Sequence, residues 1–84
     1  MAEDARPVQV HLFAAARAAA GLSVIEVAPG TLGEVLAAAV AAAPRLEEVL
    51  GRCSVLVEGL AAPDRAQRVD PGARVDVLPP FAGG

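Results

Sequence analysis

The residues best suited to chemistry in this 84-residue chain are its last two, Gly83 and Gly84, and the group they offer is a carboxylate. Neither residue has a Cβ, so the carboxylate is as accessible as a peptide carboxylate can be. The backbone before it also takes conformations closed to other residues. Such an end can thread into the narrow active site of another enzyme and be activated there. Pro79 and Pro80 hold the base of the tail extended, which lowers the ordering cost of insertion. With background glycine near 7%, a terminal pair arises by chance in roughly one chain in 200. The bland alternative is a frayed end without a role, since termini commonly fray. The flanking sequence decides between the two.

Little else in the chain is equipped for catalysis. Cys53 is the single cysteine and His11 the single histidine, too few for a disulfide, a zinc site or an iron–sulfur cluster. Cys53 suggests a sulfur relay, but its bland reading is a small buried hydrophobe. His11 has no evident nucleophile or metal partner and reads as a surface strand residue. All seven basic residues are Arg, so a lysine Schiff base or phosphate-loop lysine is excluded. There is no glycine-rich phosphate loop either. The Glu47-Glu48 pair reads as a solvated helix face.

The length allows one domain with a modest core and little material for an internal cleft. An apolar fraction of 55% excludes a disordered chain. Much of it is alanine, so the core rests on Val and Leu. The formal charge is −3, with no basic patch, and the only aromatics are Phe13 and Phe81. Nucleic-acid binding is therefore not expected. No apolar run is long enough to span a bilayer, and Met1 to Arg6 lacks the apolar core of a signal peptide. A reduced, cytoplasmic location is the expectation.

These residues need a scaffold, and the apolar spacing describes it. Val8, Val10 and Leu12 alternate with Gln9, His11 and Phe13, which predicts a strand with one buried face. Ala14 to Ala20 reads as a short helical turn closed by Gly21. Ser23 to Val27 reads as a second strand, ended by Pro29-Gly30. Thr31 and Glu34 form a capping box. From there Leu32, Val35, Leu36, Ala39, Val40 and Ala43 make one helical stripe. Pro44 ends that helix or starts a new turn, and Arg45 to Leu50 adds one or two helical turns. Cys53 to Glu58 is a third strand, with Cys53, Val55 and Val57 on one side and Leu56 on the other. Gly59 begins a loop, and a short strand follows near Gln67 to Val69. After the Asp70-Pro71-Gly72 turn, Arg74 to Leu78 is the last strand, with Val75 and Val77 inward. Pro79-Pro80 then stops sheet pairing.

The order β-β-α-β-(β)-β predicts an α+β fold. A mixed four- to five-stranded sheet packs on one main helix, in the β-grasp or ubiquitin-like arrangement. Its first and last strands lie side by side and parallel. The expected division is an N-terminal tail over 1–7, the β-grasp domain over 8–78, and a flexible tail, Pro-Pro-Phe-Ala-Gly-Gly, over 79–84.

At both ends the chain resembles the MoaD/ThiS family of sulfur carriers. Leu12-Phe13-Ala14-Ala15-Ala16-Arg17 through Gly21 is similar to that family's Phe-Ala-x-x-Arg start. Asp70-Pro71-Gly72 through Val75-Asp76-Val77-Leu78-Pro79-Pro80-Phe81-Ala82-Gly83-Gly84 resembles its last strand and di-glycine tail. The Pro-Pro is closer to MoaD than to ThiS. The resemblance covers about Val8 to Gly84, and Val57-Glu58-Gly59 departs from it where many members have asparagine.

The resemblance implies a mechanism. An E1-like adenylating enzyme uses ATP to activate the Gly84 carboxylate, and a sulfur donor protein displaces AMP to leave a thiocarboxylate. The sulfur is then delivered in a second partner. For MoaD that partner is the large subunit of molybdopterin synthase. The chain would bind no cofactor itself and act as a protein cosubstrate, the small subunit of that synthase.

In a β-grasp, Phe13, Leu56 and Leu78 fall on the outer sheet face of neighbouring strands, beside the root of the tail. They are expected to form an apolar partner site, unless a loop or the Ala14–Ala20 turn covers them. Arg17 matches the family's arginine and either pairs with an acidic partner or is solvated. Pro80 and Phe81 complete the expected partner contacts. Three rival readings stay open. One is a carrier for thiamine or cysteine synthesis. Another is a ubiquitin-like modifier joined to target lysines through Gly84. The third is a β-grasp interaction module with an idle tail.

Overall fold

The computed structural model describes residues 6–80. The terminal residues Phe81, Gly83 and Gly84, on which the tail expectation rests, lie outside that range, as does most of the expected N-terminal tail.

The alternating valines dictate the sheet. Strand β1 (Val8–Leu12) pairs antiparallel with β2 (Val24–Val27) and parallel with β7 (Arg74–Leu78). On its other side β7 pairs antiparallel with β4 (Ser54–Val57), which pairs in turn with the two-residue β5 (Leu60–Ala61). The order is β2-β1-β7-β4-β5. First and last strands are therefore central, parallel neighbours. This is the ubiquitin-like β-grasp expected from the sequence.

Val8, Val10, Leu12, Ile25, Val27, Val55, Val57, Val75 and Val77 form the inner face, and every one is buried. Each such side chain contributes about 2 kcal/mol of transfer free energy. The helices bury their apolar residues in the same cluster. Helix α2 (Leu32–Ala42) contributes Leu32, Val35, Leu36 and Ala39. It starts at the capping box: the Glu34 amide donates to Thr31 Oγ1 at 3.1 Å, and the Thr31 amide donates to Glu34 Oε1 at 2.9 Å. Ala43 ends it, and Pro44 opens a 3-10 turn (Pro44–Leu46) that runs into α3 (Glu47–Leu50). Leu46 of that turn is fully buried.

Helix α1 (Ala14–Ala20) turns its buried Ala16 into the core. It stops at Gly21, whose φ of 76° suits glycine and lets its amide donate to the Arg17 carbonyl. Its first residue, Ala14, also has a positive φ of 50°. That conformation strains any residue bearing a Cβ.

Three details differ from the sequence expectation. The segment after Gly59 does not start as a loop, because Leu60–Ala61 pairs back on Val57 and Leu56. Glu58 and Gly59 both have positive φ, 50° and 82°, the combination a two-residue hairpin turn requires. Asparagine takes that conformation more readily than glutamate, so Glu58 holds its place in the turn at some backbone cost. The strand expected near Gln67 to Val69 forms as β6 (Arg68–Val69), but outside the main sheet. It pairs with β3 (Gly30–Thr31) and braces the start of α2. Cys53 precedes β4 rather than beginning it, and is half-buried rather than buried.

Candidate functional site

The outer face of the sheet is set by the same alternation, one residue out of phase. Leu12 pairs with Val77, so Phe13 lies beside Leu78, and its amide donates to the Val77 carbonyl at 3.3 Å. Phe13 keeps the extended backbone of the strand although it is the N-cap of α1. Leu78 pairs with Ser54, and Leu56 pairs with Asp76. Phe13, Leu78 and Ser54 thus form the rung nearest the tail. Val24, His11, Asp76, Leu56 and Ala61 form the next. Leu56 and Leu78 are diagonal neighbours, a spacing of roughly 7–8 Å between Cα atoms in an antiparallel pair.

Phe13, Leu56 and Leu78 are all half-buried. None is among the partly buried residues packed on the core. Helix α1, the alternative cover, faces its Ala16 into the core instead. The three apolar side chains therefore share one face, and Pro79 and Pro80 leave directly from its edge. Among the described residues nothing brings Arg17 to this face. It is exposed in the last turn of α1, where its charge complements the helix C-terminus, and it makes no ion pair.

The sequence reading missed part of this face. Val24 is 39% exposed on the His11 rung, and Leu22, two residues earlier in the same phase, is 47% exposed. Their alternation with Ile25 and Val27 was the available signal. Polar groups cross the face as well. Arg74 Nε donates to Asp76 Oδ1 at 2.7 Å, His11 Nε2 lies 3.4 Å from Gln9 Oε1, and Gln9 Nε2 donates to Glu26 Oε2 at 3.5 Å. The Glu58 carboxylate accepts from the Arg74 amide, tying the β4–β5 hairpin to the last strand.

Cys53 lies off this face. Its Sγ donates to the Val49 carbonyl at 3.3 Å, and burial pushes its thiol pKa up despite the neighbouring Arg52. A thiol held protonated is a poor nucleophile. No cluster of three or more metal-ligating side chains occurs among the described residues. No helix among them is long and apolar enough to cross a membrane.

The described residues thus form a ubiquitin-like β-grasp with an apolar sheet face at the exit of its last strand. The chain belongs to the ThiS family, whose model matches residues 10–84. Its structure is similar to that of SAMP1, a small archaeal modifier protein, from Haloferax volcanii. The two share 30% sequence identity and a TM-score of 0.84, over 93% of this chain and 99% of that one. It shares its fold with a putative molybdopterin converting factor, subunit 1, from Pyrococcus furiosus. That match has 18% identity and a TM-score of 0.79, over 90% of this chain and 99% of that one. The fold also occurs in a complex of subunits 1 and 2 of the molybdopterin-converting factor from Helicobacter pylori. There the identity is 22% and the TM-score 0.71, over 93% of this chain and 99% of the matched chain. Comparison with curated protein sequences returns no match.

Proposed function

We propose that the chain is a sulfur carrier that works through Gly84 and supplies sulfur for molybdopterin synthesis. The observation that carries this reading is the apolar rung of Phe13 and Leu78, diagonal to Leu56, from which the Pro79-Pro80 segment departs. A partner seated there would receive Gly83 and Gly84 in its own active site. Buried apolar anchors concentrate docking energy, so Phe13, Leu56 and Leu78 hold the partner and Pro80 and Phe81 guide the tail, while Arg17, off this face on α1, is left solvated.

The chemistry runs in two stages. The Gly84 carboxylate attacks the α-phosphate of ATP on an E1-like enzyme, and pyrophosphate leaves. A sulfide equivalent from a donor protein then attacks the acyl carbon, and AMP leaves. The thiocarboxylate so formed carries sulfur to the large subunit of molybdopterin synthase. All ATP chemistry belongs to the activating partner. This chain contributes the accessible carboxylate and the docking face.

A second reading has its own support. The likeness to SAMP1, a modifier protein by name, favours conjugation of Gly84 to lysines of other proteins. Two outcomes separate the readings. The thiocarboxylated chain, mixed with the synthase large subunit and the pterin precursor, should give molybdopterin without further ATP. A modifier would instead give ladders of Gly84-linked lysine conjugates in cell extract. Sulfur loading without binding to that subunit would point to thiamine or cysteine synthesis.

A further inference from the structure

On the opposite side of the molecule from the outer sheet face, helix α2 borders an open groove of about 370 Å³. Leu36, Val40 and Leu50 floor it, and Ala37 of α2 stands exposed along it. Its two charged lining residues, Arg65 and Glu47, have opposite signs. Arg65 belongs to the Gly33 end of α2, where the Gly33 amide donates to the Arg65 carbonyl at 2.9 Å. Glu47 opens α3, beyond the other end of α2. Both are exposed, and neither forms an ion pair among the described residues.

We infer that this groove is a self-association surface, occupied by α2 of a second copy. The charges select that occupant. A two-fold axis across α2 sets the helices antiparallel, so Arg65 of each copy meets Glu47 of the other, and both charges find partners twice over. The wall suits the role too. Ala37 and Ala41 are exposed and small, so two α2 backbones can approach at the close end of the usual 8–10 Å range. The exposed parts of Val40 and Leu50 then lose water on both copies, Leu36 being buried already, while the charges remain at the rim. The net charge of −3 opposes association at low salt, so the dimer is a weak one. The outer sheet face and Pro79-Pro80 stay uncovered in it, and self-association is compatible with a partner on that face.

Sedimentation velocity of the full chain across a concentration series tests this, with charge-reversed variants. Arg65→Glu sets Glu against Glu, and Glu47→Arg sets Arg against Arg. Each change is on the surface and should leave the thermal melt nearly unchanged. Each alone should weaken self-association by about a hundredfold, since like charges directly opposed cost several kcal/mol. Mixing the two variants should restore dimers, because both contacts in the mixed pair then have opposite signs. Ala37→Glu should abolish dimers in either background. A chain that stays monomeric at every accessible concentration overturns the inference. So does a dimer that ignores the single reversals, or variants whose mixture stays monomeric.

Discussion

The two faces of the sheet come from one alternation and do different work. Val75 and Val77 point inward with no exposure, while Asp76 and Leu78 between and after them stay half-buried on the outside. The inner face is uniform, aliphatic and covered by helices. The outer face mixes Phe13, Leu56 and Leu78 with an Arg74–Asp76 ion pair and a histidine. A face that only has to hold the fold can be all valine. A face that must stay soluble alone and dry in a complex carries apolar anchors among polar groups. On the proposed reading, that difference assigns the partner to the outer face.

Charge placement breaks the comparison most severely. Val77→Glu would bury a carboxylate with no partner, at a cost of several kcal/mol. Domains of this size have a total stability of about 5–10 kcal/mol, so this variant should be largely unfolded by circular dichroism. Leu78→Glu, one residue on, should melt close to the parent chain yet lose binding to the large subunit. Unfolding of both variants would show that Leu78 is core. The pair Leu12→Ala and Phe13→Ala repeats the contrast more gently. Urea unfolding should show a loss of about 3 kcal/mol for the buried leucine and about 1 kcal/mol or less for the phenylalanine. Binding titrations should reverse that order.

What the sequence disclosed follows the range of the interactions. The alternation of Val8, Val10 and Leu12 and the Thr31–Glu34 box are local, and both were legible. So was the common face of Phe13, Leu56 and Leu78, once strand parity was combined with the order of a β-grasp. The β4–β5 hairpin was hidden because Glu58 holds an asparagine-like turn conformation. Its carboxylate is held by the Arg74 amide, 16 residues away, and no local pattern reports that bond. β6 was expected near Gln67 to Val69, but its partner β3 was hidden for a similar reason, since a two-residue strand has no period to read. Arg17 was expected from the resemblance alone, and the structure places it exposed on α1, away from the outer sheet face.

Two smaller effects sharpen the account where the faces join. Ala14, the first residue of α1 and next to Phe13, should prefer glycine. Ala14→Gly relieves the positive φ and should stabilise by about 0.5–1 kcal/mol, less than the full strain because glycine loses more chain entropy. Differential scanning calorimetry would see this as a rise in Tm of a few degrees. Cys53 should give the smallest effect. Burial raises its folded pKa above the unfolded value, so the folded thiol keeps its proton longer. Its contribution is complete below the unfolded pKa and is lost as pH rises through the folded one. Cys53→Ser should therefore flatten a slight alkaline decline in stability and leave sulfur loading intact. Abolished loading in a folded Cys53→Ser chain would point to a thiol relay.

The central claim is that the sulfur resides on the terminal carbonyl, and intact-mass spectrometry tests it most directly. The chain is incubated with ATP, its activating enzyme and a sulfur donor, beside a chain lacking Gly84. The account predicts one oxygen exchanged for sulfur in the full chain and no change in the truncated one. Equal modification of both would contradict it.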